Sequence, residues 1–305
     1  MIELSISIVN YNARESLRLC LDSIKKNVRG LDYETIVVDN NSSDGSVLMV
    51  KDGYPHVKLI VNDRNLGASV AKNQSFRLAK GRYILILDSD IEISPDSVER
   101  MLAFLKKDQL AGIVGPRVVF ADKRPQHSCN KKCPCYLSLF LNKVFFFSAI
   151  RYFFYRSRLG GLYLNFRYRN VEEFSWLGGM CLLARRELID QLNGMDEAFF
   201  IYYDDVDFCL RAKLAGWKIC YYPEAMVIHH MGASVGRFSG SLCKKVYQSE
   251  LHFYNKYYGS LGEKACSCFI LFSMFIRLPI AFFLFRNRIQ AYLEVVRLSV
   301  GKIYE

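Results

Sequence analysis

The first 120 residues alternate short apolar runs with stretches of helical spacing. Residues 4–9 form a β-favouring run, and residues 16–28 follow with Leu17, Leu21, Ile24 and Val28 on one stripe. Residues 34–39, 57–61 and 83–87 (YILIL) read as further strands, residues 68–79 as a helix, and residues 111–115 as another strand. Pro95 suits the first turn of a helix running to residue 106, with Ser94 as its N-cap. Strand and helix in alternation predict an α/β chain, a mostly parallel sheet with helices on both faces. Ligands of such sheets sit beyond the carboxyl ends of the strands.

The residues at those strand ends are polar: Asn10-Tyr11-Asn12, Asp39-Asn40-Asn41 through Gly45, Asn62-Asp63-Arg64-Asn65, and Asp88-Ser89-Asp90. Turn chemistry explains any one of these loops; four of them on one edge predict a site. No Gly-x-Gly-x-x-Gly follows the first run and no Gly-x-x-x-x-Gly-Lys is present. A dinucleotide-binding dehydrogenase and a P-loop NTPase are therefore disfavoured. Asp88 and Asp90 can share a hard cation such as Mg2+ or Mn2+, which would neutralise a diphosphate leaving group.

Asp204, Asp205 and Asp207 open a second helical pattern carried by Val206, Leu210 and Leu214. Negative charge suits a helix N-terminus, and clustered carboxylates raise one another's pKa, which suits a general base. Trp176-Leu177-Gly178-Gly179 has two readings. One is a turn feeding a strand over residues 180–184; the other is a close backbone approach with an aromatic wall for an acceptor. Trp217 is expected in the core.

Seven blocks in order resemble family 2 glycosyltransferases of GT-A fold, most densely the rhamnosyltransferase-like branch. They are IVNYN (8–12), VVDNNSSDGS (37–46), the NRNLGASVAKN-type block (62–73), LILDSD (85–90), WLGGMCLLARRE (176–187), GMDEAFFIYYDDVDFCLRAKLAGW (194–217) and HHMGAS (229–234). The resemblance implies roles. Asp39 would contact the nucleotide, with Asn10, Asn12, Asn41, Asn65, Gly67, Asn73 and Asp88 also on the donor side. Asp90, Asp88 and His229 would lie at the metal and diphosphate. Asp205, or its neighbour Asp204, would be the general base. Trp176, Gly178 and Gly179 would face the acceptor. The family usually has Glu-Asp where this chain has Asp204-Asp205, and rhamnosyltransferase-like members often keep only the last aspartate of Asp-x-Asp.

Charge changes the picture in two places. The chain carries 41 Lys+Arg against 30 Asp+Glu, a net +11. Residues 1–122 are neutral, whereas residues 123–169 hold ten basic residues, twelve Phe and Tyr, and no Asp or Glu. Residues 256–305 hold seven basic and three acidic residues. Residues 137–155 are nearly all apolar but contain Lys143 and Arg151. A charge at mid-bilayer costs about 2.5–3.5 kcal/mol, which disfavours a span. An interfacial helix or hairpin on anionic lipid fits better. Near the C-terminus, Arg277 and Pro279 interrupt an apolar stretch, and the proline is expected to kink it. Ile289, Tyr292, Leu293, Val296 and Val300 then follow helical spacing. A monotopic helical tail is expected. No recognisable nucleic-acid motif accompanies the basic residues.

Ten cysteines are scattered, and the N-terminus has no signal-peptide pattern, so a cytosolic face with reduced thiols is expected. His127, Cys129, Cys133 and Cys135 have zinc-ligand chemistry, but their spacing is irregular. The resemblance implies a GT-A domain over residues 1–240, with an acceptor-side insertion at 123–169, and the apolar and charge patterning predicts membrane-associated helices over 241–305. The expected enzyme is an inverting glycosyltransferase using Mg2+ or Mn2+. Its donor would be a nucleotide-diphospho-sugar, leaning to dTDP-rhamnose, and its acceptor a lipid-linked saccharide. It would act peripherally on an anionic surface at the cytoplasmic face of the inner cell membrane, with no nucleic acid partner. The competing class is a non-catalytic, membrane-bound sugar-nucleotide or lipid-binding protein that retains the fold.

Overall fold

The computed structural model describes residues 2–135, 154, 157–230, 240–284 and 288–304. Most of the interfacial segment expected at 137–155 lies outside these residues, as does the 231–234 end of the HHMGAS block. The chain divides into two compact units. The first comprises Met1–Cys133, Gly161–Glu197 and Asp204–Gly236, and the second Pro134–Gly160, Ala198–Tyr203 and Arg237–Glu305.

The α/β unit is built on a nine-stranded sheet in the order β3-β2-β1-β4-β10-β6-β11-β5, with β8 beside β11. Its strands are β1 (Leu4–Asn10), β2 (Tyr33–Asp39), β3 (Lys58–Val61), β4 (Tyr83–Asp88), β5 (Ile91–Ile93), β6 (Ala111–Phe120), β8 (Glu172–Glu173), β10 (Cys181–Arg185) and β11 (Lys218–His229). β7 (Cys129–Asn130) and β9 (Trp176–Leu177) form a separate antiparallel ribbon. The part β3-β2-β1-β4 is parallel, as the pattern predicted. Beyond β4 the sheet is mixed: β10 runs antiparallel to both β4 and β6, while β11 runs parallel to β6.

The helices are α1 (Arg14–Asn27), α2 (Ser46–Gly53), α3 (Ala68–Leu78), α4 (Ser97–Lys107), α5 (Arg158–Arg167), α6 (Arg186–Gln191) and α7 (Asp204–Leu214). Two apolar cores lie on the two sheet faces, and β4 shows why its sequence is apolar throughout. Leu85 and Leu87 join the core of α1 and α4, while Ile84 and Ile86 join that of α3, α6 and α7. A strand buried on both faces has no polar side to show.

Three local expectations are corrected. Ser94 is not the cap of α4: its carbonyl takes the Ser97 N–H (3.3 Å), and Asp96, at φ +60°, precedes the helix. Leu214 is 81% exposed, because the buried face of α7 is Val206, Phe208, Cys209 and Ala212. Trp217 is only partly buried against its core and donates Nε1–H to Gln191. The long strand β11, the short β5 and the helix α2 were not anticipated from the sequence pattern.

The second unit contains α8 (Gly240–Leu284) and α9 (Ile289–Tyr304). α8 breaks at Gly259, whose φ of +68° and ψ of −170° favour glycine. The helix runs on through Arg277 and Pro279, and Gly259 is the residue that departs from helical dihedrals. Cys268, Phe272, Phe275, Pro279 and Phe282 are exposed at helical spacing. Cys266, Ser267, Ile270, Ser273 and Met274 are buried on another face. In α9 the buried residues are Ala291, Val295 and Ser299, so the apolar Leu293 and Val300 of the expected stripe stay exposed. Among the described residues, Leu242–Phe282 is the one helix long and apolar enough to cross a membrane by length and composition.

Gly81 anchors the N-terminal edge of the parallel sheet. Its N–H donates to Ser5 Oγ (2.8 Å), and a Cβ there would run into the Ser5 backbone nitrogen and lie 2.7 Å from the Leu4 carbonyl carbon. Gly81→Ala is expected to lower stability by about 1–3 kcal/mol, as overpacking does. Urea unfolding measures it, and an unchanged midpoint would show that β1 can move aside.

Candidate active site

Register brings the polar strand ends together. Asn10 lies opposite Asp39 in the β1–β2 pair, Val9 opposite Asp88 in β1–β4, and Asp39 opposite Val61 in β2–β3. Asp39 is buried: Oδ2 accepts from Asn10 Nδ2 (2.7 Å) and Oδ1 from the Ser42 N–H (2.7 Å). Asn12, at φ +49°, accepts the Ser43 N–H at Oδ1 (2.8 Å). Asn41 is exposed at φ +66°. Asn65 Oδ1 accepts the Gly67 N–H (2.9 Å), and Gly67, at φ +89°, starts α3. These bonds fix the shape of the rim loops.

Asn73 is used differently from the donor-side role implied by resemblance. Its Oδ1 accepts the Met195 N–H (2.8 Å), while Nδ2 donates to the Met195 carbonyl (2.9 Å) and to Glu197 (3.0 Å). Its amide is thus committed to the turn after Gly194.

β5 pairs antiparallel with β11 through Ile91 and His229, so His229 comes beside Asp90. His229 Nε2 lies 3.4 Å from Asp90 Oδ1, and Nδ1 meets Gln126 Oε1 at 2.9 Å. Burial alone would lower the imidazole pKa, but the Asp90 carboxylate outweighs burial and pushes it up. Asp88 is part-buried; desolvation, with the like charge of Asp90, raises its pKa to about 7 against the pull of Lys72. Among the described residues, no three His, Cys, Asp or Glu side chains converge as a complete metal cage. Asp90 and His229 come together, but Asp88 does not complete a triad with them. This donor set fits Mg2+ or Mn2+ of the kind that draws its remaining ligands from substrate phosphates. Cys129 is buried, and desolvation pushes its thiol up to about 12, so the HSCNKKCPC stretch carries no assembled zinc site among the described residues.

Asp204 and Asp205 start α7 and point to different partners. Asp204 Oδ2 pairs with Lys72 Nζ at 2.7 Å, and both side chains are more than nine-tenths buried. Burial opposes the charge on Lys72, but the carboxylates of Asp204 and Asp88 hold its pKa above the ordinary lysine value. Asp205 accepts the Gly179 N–H at Oδ2 (2.7 Å) and the Val206 N–H at Oδ1 (2.8 Å). Desolvation, then the negative charge of Asp204, raises Asp205 to about 6, while the Gly179 N–H and Lys72 hold it from rising further. A Cβ on Gly179 would come within 2.9 Å of Asp205 Cβ. Gly179 thus lies against Asp205, in the turn that feeds β10. Gly178 N–H donates to the Ser128 carbonyl (2.7 Å), and Trp176 pairs with Asn130 in the β7–β9 ribbon.

Lys72 was not singled out by sequence reasoning. The signal was available: Lys72 falls with Ala71, Ser75 and Phe76 on the buried face of α3, where an unpaired ammonium is untenable. Gln126, which orients His229, has no comparable signature.

A parallel sheet whose strand ends carry these carboxylates, extended by a mixed half that brings in Asp205 and His229, is the architecture of GT-A glycosyltransferases. The chain belongs to glycosyl transferase family 2, whose model matches residues 5–161. It is a glycosyltransferase. It is 29% identical over 214 residues to the N-acetylglucosaminyl-diphospho-decaprenol L-rhamnosyltransferase of Mycobacterium tuberculosis, covering 66% of this chain and 68% of that protein. It is 24% identical over 262 residues to the low-salt glycan biosynthesis hexosyltransferase Agl10 of Haloferax volcanii, covering 85% of this chain and 75% of that one. Among solved structures, the mannosyltransferase PcManGT of Pyrobaculum calidifontis, in complex with GDP-Man and Mn2+, superposes with a TM-score of 0.56 at 16% identity, covering 99% of this chain and 87% of that one. S. aureus TarS with UDP superposes with a TM-score of 0.54 at 15% identity, covering 94% of this chain and 71% of that one.

Removing one partner of a buried ion pair strands the other charge. Lys72→Met should therefore destabilise the fold by about 3–5 kcal/mol. Adding Asp204→Leu should recover most of that loss, since an apolar pair of similar volume needs no desolvation. Thermal unfolding of the single and double variants measures both steps.

Proposed function

We propose that the protein transfers a sugar, with inversion at the anomeric carbon, from a nucleotide-diphospho-sugar to a hydroxyl of a lipid-linked saccharide. The observation that carries this reading is the state of Asp205. It is part-buried at the start of α7, gripped by the Gly179 N–H, and raised to about 6 by burial and by Asp204. A carboxylate of that basicity is ionised at neutral pH yet accepts a proton more readily than an exposed aspartate. Asp204 is a poorer candidate because its carboxylate is bound to Lys72.

In the reaction, Asp205 takes the proton of the acceptor hydroxyl as its oxygen forms a bond to the anomeric carbon. The bond from that carbon to the diphosphate breaks, and the nucleoside diphosphate leaves with the electron pair. No enzyme nucleophile is needed. Asp90 and His229 would hold Mg2+ or Mn2+, with Gln126 orienting the imidazole. Bound there, the cation supplies positive charge to the departing diphosphate. Asn10, Asn12, Asp39, Asn41, Asn65, Gly67 and Asp88 would surround the nucleotide, and Trp176 and Gly178 would face the acceptor.

Rhamnose as the donor sugar and a polyprenyl diphosphate as the acceptor's carrier are supported by the name of the Mycobacterium relative. A bound Mn2+ in PcManGT supports a divalent cation. The exposed Phe272, Phe275 and Phe282 of α8 support residence on a membrane, at its cytoplasmic surface in this reading.

Asp205→Asn should abolish transfer while nucleotide-sugar binding, followed by thermal shift, stays within a few-fold of the parent. Normal turnover in that variant would refute the assignment of the base. The sign of the pH dependence follows from the raised pKa: the rate should fall tenfold per pH unit below about 6, where Asp205 is protonated, and level off above it. Chelation by EDTA should weaken donor binding in the parent, and Asp90→Ala should bind donor equally weakly with or without Mn2+. Retained metal-dependent binding by that variant would remove Asp90 from the site.

A further inference from the structure

We propose that a cavity at the N-terminal edge of the parallel sheet binds a small diphosphate anion, with Lys80 and Arg82 as its anchors. The cavity has a volume of about 430 Å³, within the range of small-molecule sites. Lys80, Gly81 and Arg82 line it from the link between α3 and β4, and Arg186, Glu187 and Asp190 line it from α6. Arg185, the last residue of β10, lines it as well. β4 begins at this edge with Tyr83 and reaches the rim at Asp88. Five residue steps of strand, roughly 17 Å, thus separate the cavity from the catalytic carboxylates. The cavity is a second place on the α/β unit, and its ligand does not depend on the sugar-transfer reading.

Four basic side chains meet two acidic ones in this lining, which leaves an excess of two positive charges. Arg186 is satisfied: Nε donates to both Asp190 oxygens (3.0 and 3.1 Å), and Nη1 donates to the Ala79 carbonyl (2.6 Å). Arg185 is 4% exposed, and its guanidinium donates to the carbonyls of Leu105, Asp108 (3.1 Å) and Ala111 (2.8 Å). Among the described residues, no carboxylate neutralises that buried charge. Lys80 and Arg82 are exposed, and among the described residues neither charged group has a hydrogen-bond or ion-pair partner. Glu34 accepts the Lys80 backbone N–H, but its charge is taken by Lys58. On a convex surface two such cations would simply be solvated. Here they border a concavity with a buried guanidinium in its wall, and such walls focus the attraction for an anion. A guanidinium fork and an ammonium group both match phosphate oxygens. Two anchors on either side of Gly81 suit two phosphate groups. The described lining contains no aromatic ring on which a base could stack, so the diphosphate, not a nucleoside, is what the cavity recognises.

Thermal shift of the full chain with inorganic pyrophosphate in EDTA tests the site. Chelation removes the cation that would hold a diphosphate at Asp90 and His229. The parent should show a saturable rise in melting temperature, since the ligand binds the native state. The Lys80→Gln, Arg82→Gln double variant should bind about tenfold more weakly. Glu187→Gln should bind about threefold more tightly than the parent, because a repelling charge is gone. Misfolding would not produce that opposite sign, and far-UV circular dichroism of each variant serves as the folding control. ADP should bind no more tightly than pyrophosphate. Equal affinity in the parent and the double variant would put the pyrophosphate elsewhere and overturns the proposal. So does the absence of a saturable shift in the parent, or an equal shift with sodium chloride at matched ionic strength. A strong preference for ADP that the double variant loses would overturn the ligand class.

Discussion

One buried lysine sets the electrostatics of the rim. Lys72 stands on α3, in the half of the sheet that carries the Asp39 and Asp88 strand ends, and it pairs with Asp204, 132 residues away at the start of α7. The parallel half of the sheet brings Asp39 and Asp88 to the rim, and the second half adds two adjacent aspartates, Asp204 and Asp205. The ion pair separates them by function: one carboxylate neutralises the lysine, and the other is left with only N–H donors. The proton affinity of Asp205 follows from that arrangement, since Asp204 raises it and Lys72 restrains it.

Glycine geometry does the complementary work. Gly179 lies so close to Asp205 that any side chain would displace it, and its N–H holds Oδ2. At the β5 edge of the sheet, the β5–β11 pairing places His229 beside Asp90 by register alone. The site is therefore specified by backbone placement as much as by its carboxylates, and loop residues such as Asn12 and Asn65 shape turns with the same atoms that face the rim.

The sequence made the parallel half legible because strands buried on both faces are apolar without interruption, and polar residues mark where each one ends. The Asp88–Asp90 and Asp204–Asp205 pairs stood out for the same reason: charge is conspicuous after an apolar run. The mixed half was less readable. β11 runs through twelve residues with two register shifts, and its Tyr221, Tyr222 and Glu224 blur the alternation. Asn73 was placed on the donor side by the family resemblance of its block, and its bonds to the Met195 backbone have no signature in the sequence. Lys72 was overlooked because a lysine in a helix is usually solvated, although its neighbours on α3 are buried. In the C-terminal unit, composition located both helices but not their faces. α9 packs through Ala291, Val295 and Ser299, small residues that an apolar stripe does not reveal, and this leaves Leu293 and Val300 outward. α8 leaves helical dihedrals at Gly259, where φ is positive, and not at Pro279.

The central claim is that Asp205 acts while Asp204 only balances Lys72. Single-turnover transfer by the Lys72→Met, Asp204→Leu protein at saturating donor tests it most directly. Both charges of the pair are gone, and their opposing effects on Asp205 largely cancel. The account predicts that transfer persists, with its acid limb still near pH 6. A folded, donor-binding double variant with no transfer would contradict it and make Asp204 the base.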